Sequence, residues 1–92
     1  MIYAKKLKMQ QGCGDSNSTQ HIAEIYLDGC NNPGFFTREA VHNHLQKSPN
    51  SISVNIPPYP YLQPATSSNG TKYVRSEAND SQHDNLLKLP RV

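Results

Sequence analysis

The C-terminal third of the chain constrains the fold more than any other part. It carries the dipeptide Asn69-Gly70, a run of strand-forming residues at 72–76, a polar stretch, and a leucine-rich tail at 86–90. Asn-Gly favours a tight hairpin, because a type I′ turn needs positive φ at both of its central residues. The leucines need an apolar surface to cover them. We therefore predict a hairpin that ends in a short strand, followed by a tail at residues 81–92 that docks through its leucines.

One stretch has the periodicity of an amphipathic helix. Thr37 suits the N-cap position, and Glu39 places a negative charge near the positive end of the helix dipole. Pro49 ends the helix, because proline disfavours helical geometry in the residue before it. The predicted apolar stripe consists of Ala40, Val41, His44 and Leu45.

Three further segments have the alternation or the β-branched content of strands: residues 1–9, 21–27 and 52–56. The prolines of residues 57–64 exclude a central strand but allow an extended edge segment. Residues 10–19 are mainly turn formers and predict a flexible loop. The predicted order is β-β-α-β-β-β. The fold class is α+β: a small single domain over residues 1–92, with one helix packed on a mostly antiparallel sheet.

Four motifs occur in a characteristic order: Asp28-Gly29 after the second strand, Thr37-Arg38-Glu39-Ala40-Val41 at the helix start, Ile52-Ser53-Val54, and the stretch from residue 72 to residue 90. This order resembles DUF3892, a family of short bacterial proteins of unknown function. Residues 57–64 depart from the family pattern, which has an ordinary strand there, and Ser76 stands where threonine is common. The resemblance supports the fold and implies no activity, cofactor or partner, because the family has none assigned.

Composition limits the class of function. A chain of 92 residues has one modest core and leaves no room for a separate catalytic domain. Its net charge of +2 is far below the dense basic content that makes nucleic-acid binding the default. No run approaches the ~20 apolar residues of a membrane helix, and residues 1–8 lack the apolar core of a signal peptide. The sequence therefore predicts a cytoplasmic protein without a membrane segment.

The residues that could perform chemistry are scattered along the chain. Each cysteine lacks a second one nearby, and His42 and His44 point in different directions on the predicted helix, so neither pattern is typical of a zinc site. The carboxylates occur singly, without the close pair that acid–base chemistry needs. Cys13 between two glycines, with His21 as its base, is the remaining candidate nucleophile. This small-enzyme hypothesis ranks third, and we expect no enzyme, no metal and no cofactor.

Two surfaces could bind a partner instead. A basic sheet face with a stacking tyrosine would bind nucleic acid if the first and last strands were neighbours, and its residues are Lys5, Lys6, Lys8, Lys72, Tyr73 and Arg75. A proline-rich segment in polyproline II conformation would dock in an aromatic groove, and its residues are Pro57, Pro58, Tyr59, Pro60 and Tyr61. The leading hypothesis is a non-catalytic protein-interaction or regulatory module with an unknown protein partner. Nucleic-acid binding through the basic face is the alternative.

Overall fold

The computed structural model describes residues 2–16, 18–57, 59–76 and 85–92. These ranges contain β1 (Ile2–Met9), β2 (Ile22–Asp28), β3 (Gly34–Thr37), α1 (Arg38–Lys47), β4 (Ile52–Val54), β5 (Leu62–Thr66) and β6 (Lys72–Ser76). Short 3-10 turns at Thr19–His21 and Asn85–Lys88 precede β2 and the C-terminal residues. No helix within these ranges is long and apolar enough to cross a membrane. The predicted α+β class with a mostly antiparallel sheet is confirmed.

β1 is an inner strand of a four-stranded sheet with the order β3-β2-β1-β4. Its pairing with β2 is antiparallel, whereas β4 runs parallel to it and pairs only with Ile2–Ala4. The tail continues this second edge: the N–H of Leu7 donates to the carbonyl of Pro90 (2.8 Å), and the N–H of Val92 donates to the carbonyl of Leu7 (2.9 Å). Both edges of β1 are therefore paired, as the backbone of a buried strand requires.

The sequence pattern does not predict β3. Two adjacent phenylalanines hide the alternation of polar and apolar residues on which strand prediction depends. In the sheet the two rings separate to opposite faces. Phe36 lies opposite Ile25 and packs against the core, whereas Phe35 lies opposite Tyr26 on the other side. β3 therefore forms through its hydrogen-bonded pairing with the edge of β2 and not through a local sequence pattern.

The predicted bounds of the helix are confirmed. The Oγ1 of Thr37 accepts a hydrogen bond from the N–H of Ala40 (3.2 Å), which makes Thr37 the N-cap. The N–H of Ser48 still donates to the carbonyl of His44 (2.8 Å), and the chain leaves helical geometry there, directly before Pro49.

The buried face of α1 differs from the predicted stripe. His42 is buried, whereas Ala40 and His44 are exposed. The Nδ1 of His42 donates to the carbonyl of Tyr73 on β6 (3.0 Å), so the helix is hydrogen-bonded to the β5–β6 hairpin as well as packed on it. This bond selects which histidine points inward. The side chains that α1 buries are Val41, His42 and Leu45.

The hairpin predicted at Asn69-Gly70 joins β5 to β6, but it is not a type I′ turn. Gly70 has φ +88°, while Asn69 does not have positive φ. The N–H of Gly70 donates to the carbonyl of Ser67 (3.0 Å), and the N–H of Ser67 donates to the carbonyl of Thr71 (2.9 Å). This pattern is a longer loop that ends in a left-handed glycine, the commonest alternative to the two-residue hairpin.

The polyproline II conformation, which is the alternative to an extended edge segment for residues 57–64, does not hold at Tyr59. Tyr59 has φ +60°, far from the negative φ of polyproline II. Its N–H donates to the carbonyl of Ile56 (2.8 Å), which closes a turn. Pro58 lies outside the described residues, and Leu62–Thr66 already belongs to β5. The prolines therefore surround a reversal of the chain rather than a straight segment.

The C-terminal tail is part of the core. Leu86 is completely buried, and Leu87 and Leu89 are buried beside it. They join the cluster formed by the inner sides of both sheets and by α1. Residues 81–84, the first part of the predicted tail, lie outside the described residues.

We expect Leu86→Ala to lower the free energy of unfolding by about 3 kcal/mol, because it removes a fully buried side chain and leaves a cavity. Urea unfolding monitored by circular dichroism measures this change. Lys88→Ala, an exposed position in the same 3-10 turn, is the matched control and should change the free energy by less than about 0.5 kcal/mol. Equal small effects at both positions would contradict the role of the tail in the core.

Candidate functional site

Side chains alternate across the four-stranded sheet, so each strand contributes to a buried inner face and to an outer face. Leu7 and Ile25 lie opposite each other on the inner face, where α1 packs. The outer face, as we call it below, consists of Tyr3, Lys6, Lys8, Glu24, Tyr26, Asp28, Phe35 and Thr37.

A row of three side chains crosses the centre of the outer face. The strand register places Lys6 opposite Tyr26, and Tyr26 opposite Phe35. The two aromatic rings meet edge to face, with centroids 5.3 Å apart and planes at 78°. The Nζ of Lys6 lies 5.5 Å from the centroid of the Tyr26 ring, within the range of a cation–π contact. Phe35 is 39% exposed, so the row presents an aromatic surface to solvent.

Two ion pairs flank this row on either side. The Nζ of Lys5 lies 2.8 Å from the Oδ2 of Asp28, and the Nζ of Lys8 lies 4.0 Å from the Oε2 of Glu24. The hydrogen bond from Lys5 holds the pKa of Asp28 below its ordinary value, and the same bond raises the pKa of Lys5. Both lysines therefore face carboxylates of β2, which reduces the positive potential of this surface.

A second aromatic contact extends the outer face beyond β1. The rings of Tyr3 and Tyr59 meet edge to face with centroids 6.2 Å apart. The turn that Tyr59 closes brings it to this edge, where it is 49% exposed. Tyr61 is only partly exposed and forms a β-bridge with Ser53. Of the predicted partner segment, Tyr59 thus joins the outer face and Tyr61 helps to connect the two sheets.

The predicted basic face does not form one surface. It requires β1 and β6 to be neighbours, but β1 pairs with β2 and β4, and β6 pairs with β5 in a separate sheet. Lys72 and Tyr73 are consecutive in β6, so their side chains point to opposite faces of the hairpin. The structure therefore separates Lys5, Lys6 and Lys8 from Lys72, Tyr73 and Arg75.

The candidate nucleophile lies in the loop before β2. Cys13 is partly buried, and the hydrogen bond of His21 connects its Nδ1 to the Oγ of Ser16 (2.6 Å). Within residues 2–16, 18–57, 59–76 and 85–92, no three histidine, cysteine, aspartate or glutamate side chains come together as a metal site. The outer face is thus the most developed candidate site.

Sequence reasoning missed both rings at the centre of this surface. The solvent-side position of Tyr26 can be predicted from the sequence. It alternates with the apolar residues Ile25 and Leu27, which places it on the same side of β2 as Glu24 and Asp28. A tyrosine on the solvent side of a strand combines apolar area with a polar hydroxyl, a combination that is enriched at interfaces. Phe35 carries no such signal, since its strand is itself not predicted.

Comparison with known proteins settles the family. Residues 1–90 match the family described as Protein of unknown function (DUF3892). The chain belongs to DUF3892. No curated protein and no solved structure matches it. The resemblance read from the sequence is confirmed.

We expect Asp28→Asn to destabilise the protein at neutral pH, because it removes the charge that pairs with Lys5 and keeps an acceptor for the N–H of Gly29. The folded pKa of Asp28 is lowered from 3.8, so its contribution is present above that pH and is lost as the pH falls through the lowered value. The difference in unfolding midpoint between wild type and variant should therefore disappear in strong acid. Urea unfolding over a pH series measures it.

Asp15→Asn, at an exposed carboxylate in the loop before β2, is the control for this series. At neutral pH it should leave the unfolding midpoint within the small range that is usual for an exposed substitution. A difference for Asp28→Asn that persists unchanged in strong acid would assign the effect to something other than the ion pair.

Proposed function

We propose that this DUF3892 member is a non-catalytic interaction module that binds a protein partner on the outer face. The observation that carries the proposal is the row formed by Lys6, Tyr26 and Phe35. Two contacting aromatic side chains on the solvent side of a sheet offer apolar area, with a polar hydroxyl on Tyr26, that a partner can bury. Aromatic residues are also the side chains most enriched at the centres of protein interfaces.

The charges around the row support a protein partner. Lys5 and Lys8 have carboxylate partners on β2, so the surface has an aromatic centre with ion pairs of both signs at its sides. An apolar centre with a charged and solvated rim is the usual anatomy of a protein interface. Carboxylates at positions 24 and 28 would repel a phosphate backbone, whereas a protein can supply groups of either charge.

The sheet also holds the side chains of this surface in a fixed arrangement before a partner binds. Lys6, Tyr26 and Phe35 lie on three adjacent strands in fixed register, and each side chain already contacts its neighbour. Side chains held by such contacts lose little conformational freedom when a partner binds. The row therefore supports recognition without a large ordering cost.

A specific observation favours single-stranded nucleic acid as the second candidate. Lys6 places a cation beside two aromatic rings, and base stacking next to a cation is how many sheets bind single strands. The surface would be the same, and Lys72 and Arg75 would not be part of it.

The test uses photo-crosslinking and affinity measurement. A photoreactive amino acid at position 35 should crosslink a protein from a cell lysate, while the same group at Lys72 on β6 should not. With the identified partner, Phe35→Ala and Lys6→Glu should each raise the Kd at least about tenfold, as expected for central interface residues. Lys72→Glu is the matched control for Lys6→Glu and should leave the Kd unchanged.

A titration with short single-stranded RNA and DNA, followed by the backbone amides in NMR spectra, separates the two candidates. Amide shifts at Lys6, Tyr26 and Phe35 that fade steeply as the salt concentration rises would favour nucleic acid over a protein as the partner. A partner whose Kd is unchanged by Phe35→Ala would contradict the outer face as the binding surface under either candidate.

A further inference from the structure

A cavity of about 270 Å³ lies on the other side of the sheet, between α1 and the inner face. The sheet separates it from the outer face, so a ligand bound there would not contact the proposed partner surface. We call it the helix–sheet slot. Its lining residues are Ile2, Leu27, Cys30, Phe36, Ala40, Val41, His44 and Ile52.

The lining of the slot extends across the whole four-stranded sheet. Each of the four strands supplies one lining residue: Phe36 from β3, Leu27 from β2, Ile2 from β1 and Ile52 from β4. Adjacent strands are about 4.8 Å apart, so these residues extend over about 14 Å. A row of apolar side chains of this length, beside a volume of about 270 Å³, can accommodate an extended hydrocarbon chain of medium length.

The polarity of the lining is uneven. The strand residues, Ala40 and Val41 are apolar, whereas His44 is an exposed imidazole at the helix surface. Lys47 follows His44 by three positions in the last turn of α1, on the same side of the helix. The slot thus has an apolar interior and a basic border along α1.

We propose that the helix–sheet slot binds an unbranched medium-chain carboxylate. The hydrocarbon chain lies across the four strands beneath α1, and the carboxylate lies at the border, within reach of the imidazole of His44 and the ammonium of Lys47. The apolar lining sets chain length, because each buried methylene strengthens binding about fourfold. The basic border selects an anionic head over a neutral one.

Cys30 provides a direct probe, because its thiol lines the slot. Saturating decanoate should slow alkylation of Cys30 by iodoacetamide at least about tenfold. Cys13 is a thiol of similar burial outside the slot lining, and its alkylation rate should stay the same. Hexanoate, octanoate and decanoate should bind progressively more tightly, as measured by the amide shifts of Leu27, Phe36 and Ala40 in NMR spectra.

Two matched variants locate the site. Ala40→Leu adds bulk to the slot with only a small loss of helix propensity, and it should abolish protection of Cys30 by decanoate. Asn43→Leu introduces the same residue at an exposed position of α1 that does not line the slot, and protection should be retained. If Ala40→Leu impairs folding, His44→Gln gives an independent test, since it should weaken decanoate binding and leave decanol binding unchanged.

Each result decides the proposal. Protection of Cys30 by decanoate that exceeds protection by decanol, and that Ala40→Leu removes, supports it. No protection of Cys30 in the folded wild type overturns it. Equal protection by decanol and decanoate overturns the carboxylate assignment, and unchanged decanoate binding in folded Ala40→Leu overturns the location in the slot.

Discussion

The structure depends on the pairing of β1 along both of its edges. Ala4 and Leu7 are completely buried, so the peptide groups around them have no water to bond to. β2 pairs with one edge over most of its length, but β4 is only long enough to cover the other edge as far as Ala4. The last residues of the chain supply the missing hydrogen bonds at Leu7. The C-terminus is therefore a structural part of the sheet, and Leu86 and Leu89 bury themselves as a consequence.

This arrangement places the packing elements on one side. α1 and the β5–β6 hairpin contribute to the same core as the inner face, and the tail lies along the edge of β1. In the part of the chain that the structure describes, the aromatic contacts of the outer face are formed between its own side chains and Tyr59. Among residues 2–16, 18–57, 59–76 and 85–92, the helix and the hairpin pack on the inner face, and an antiparallel sheet can leave its second face to solvent. Both the proposed partner surface and the slot result from this one-sided packing.

The charge distribution explains why composition says little about the partner. The chain has a formal net charge of +2, but Lys5 and Lys8 form ion pairs with Asp28 and Glu24 across the β1–β2 pair. Opposite charges on adjacent strands also favour the observed register over a slipped one. Lys6, by contrast, contacts the ring of Tyr26. Net charge does not reveal this difference, because it depends on which residues the register brings together.

The sequence by itself determined the local features of this protein. The helix between Thr37 and Ser48, the strand at 72–76 and the family membership follow from caps, alternation and motif order, all of which act between residues close in the chain. Most of the candidate site could not be predicted in this way: of its central row, sequence reasoning selected Lys6 and missed Tyr26 and Phe35. Tertiary structure decided that β1 and β6 lie in different sheets, that β3 forms on the edge of β2, and that His42 points inward. The physical reason is that strand pairing and burial depend on contacts between distant parts of the chain, whose free energy no local pattern encodes.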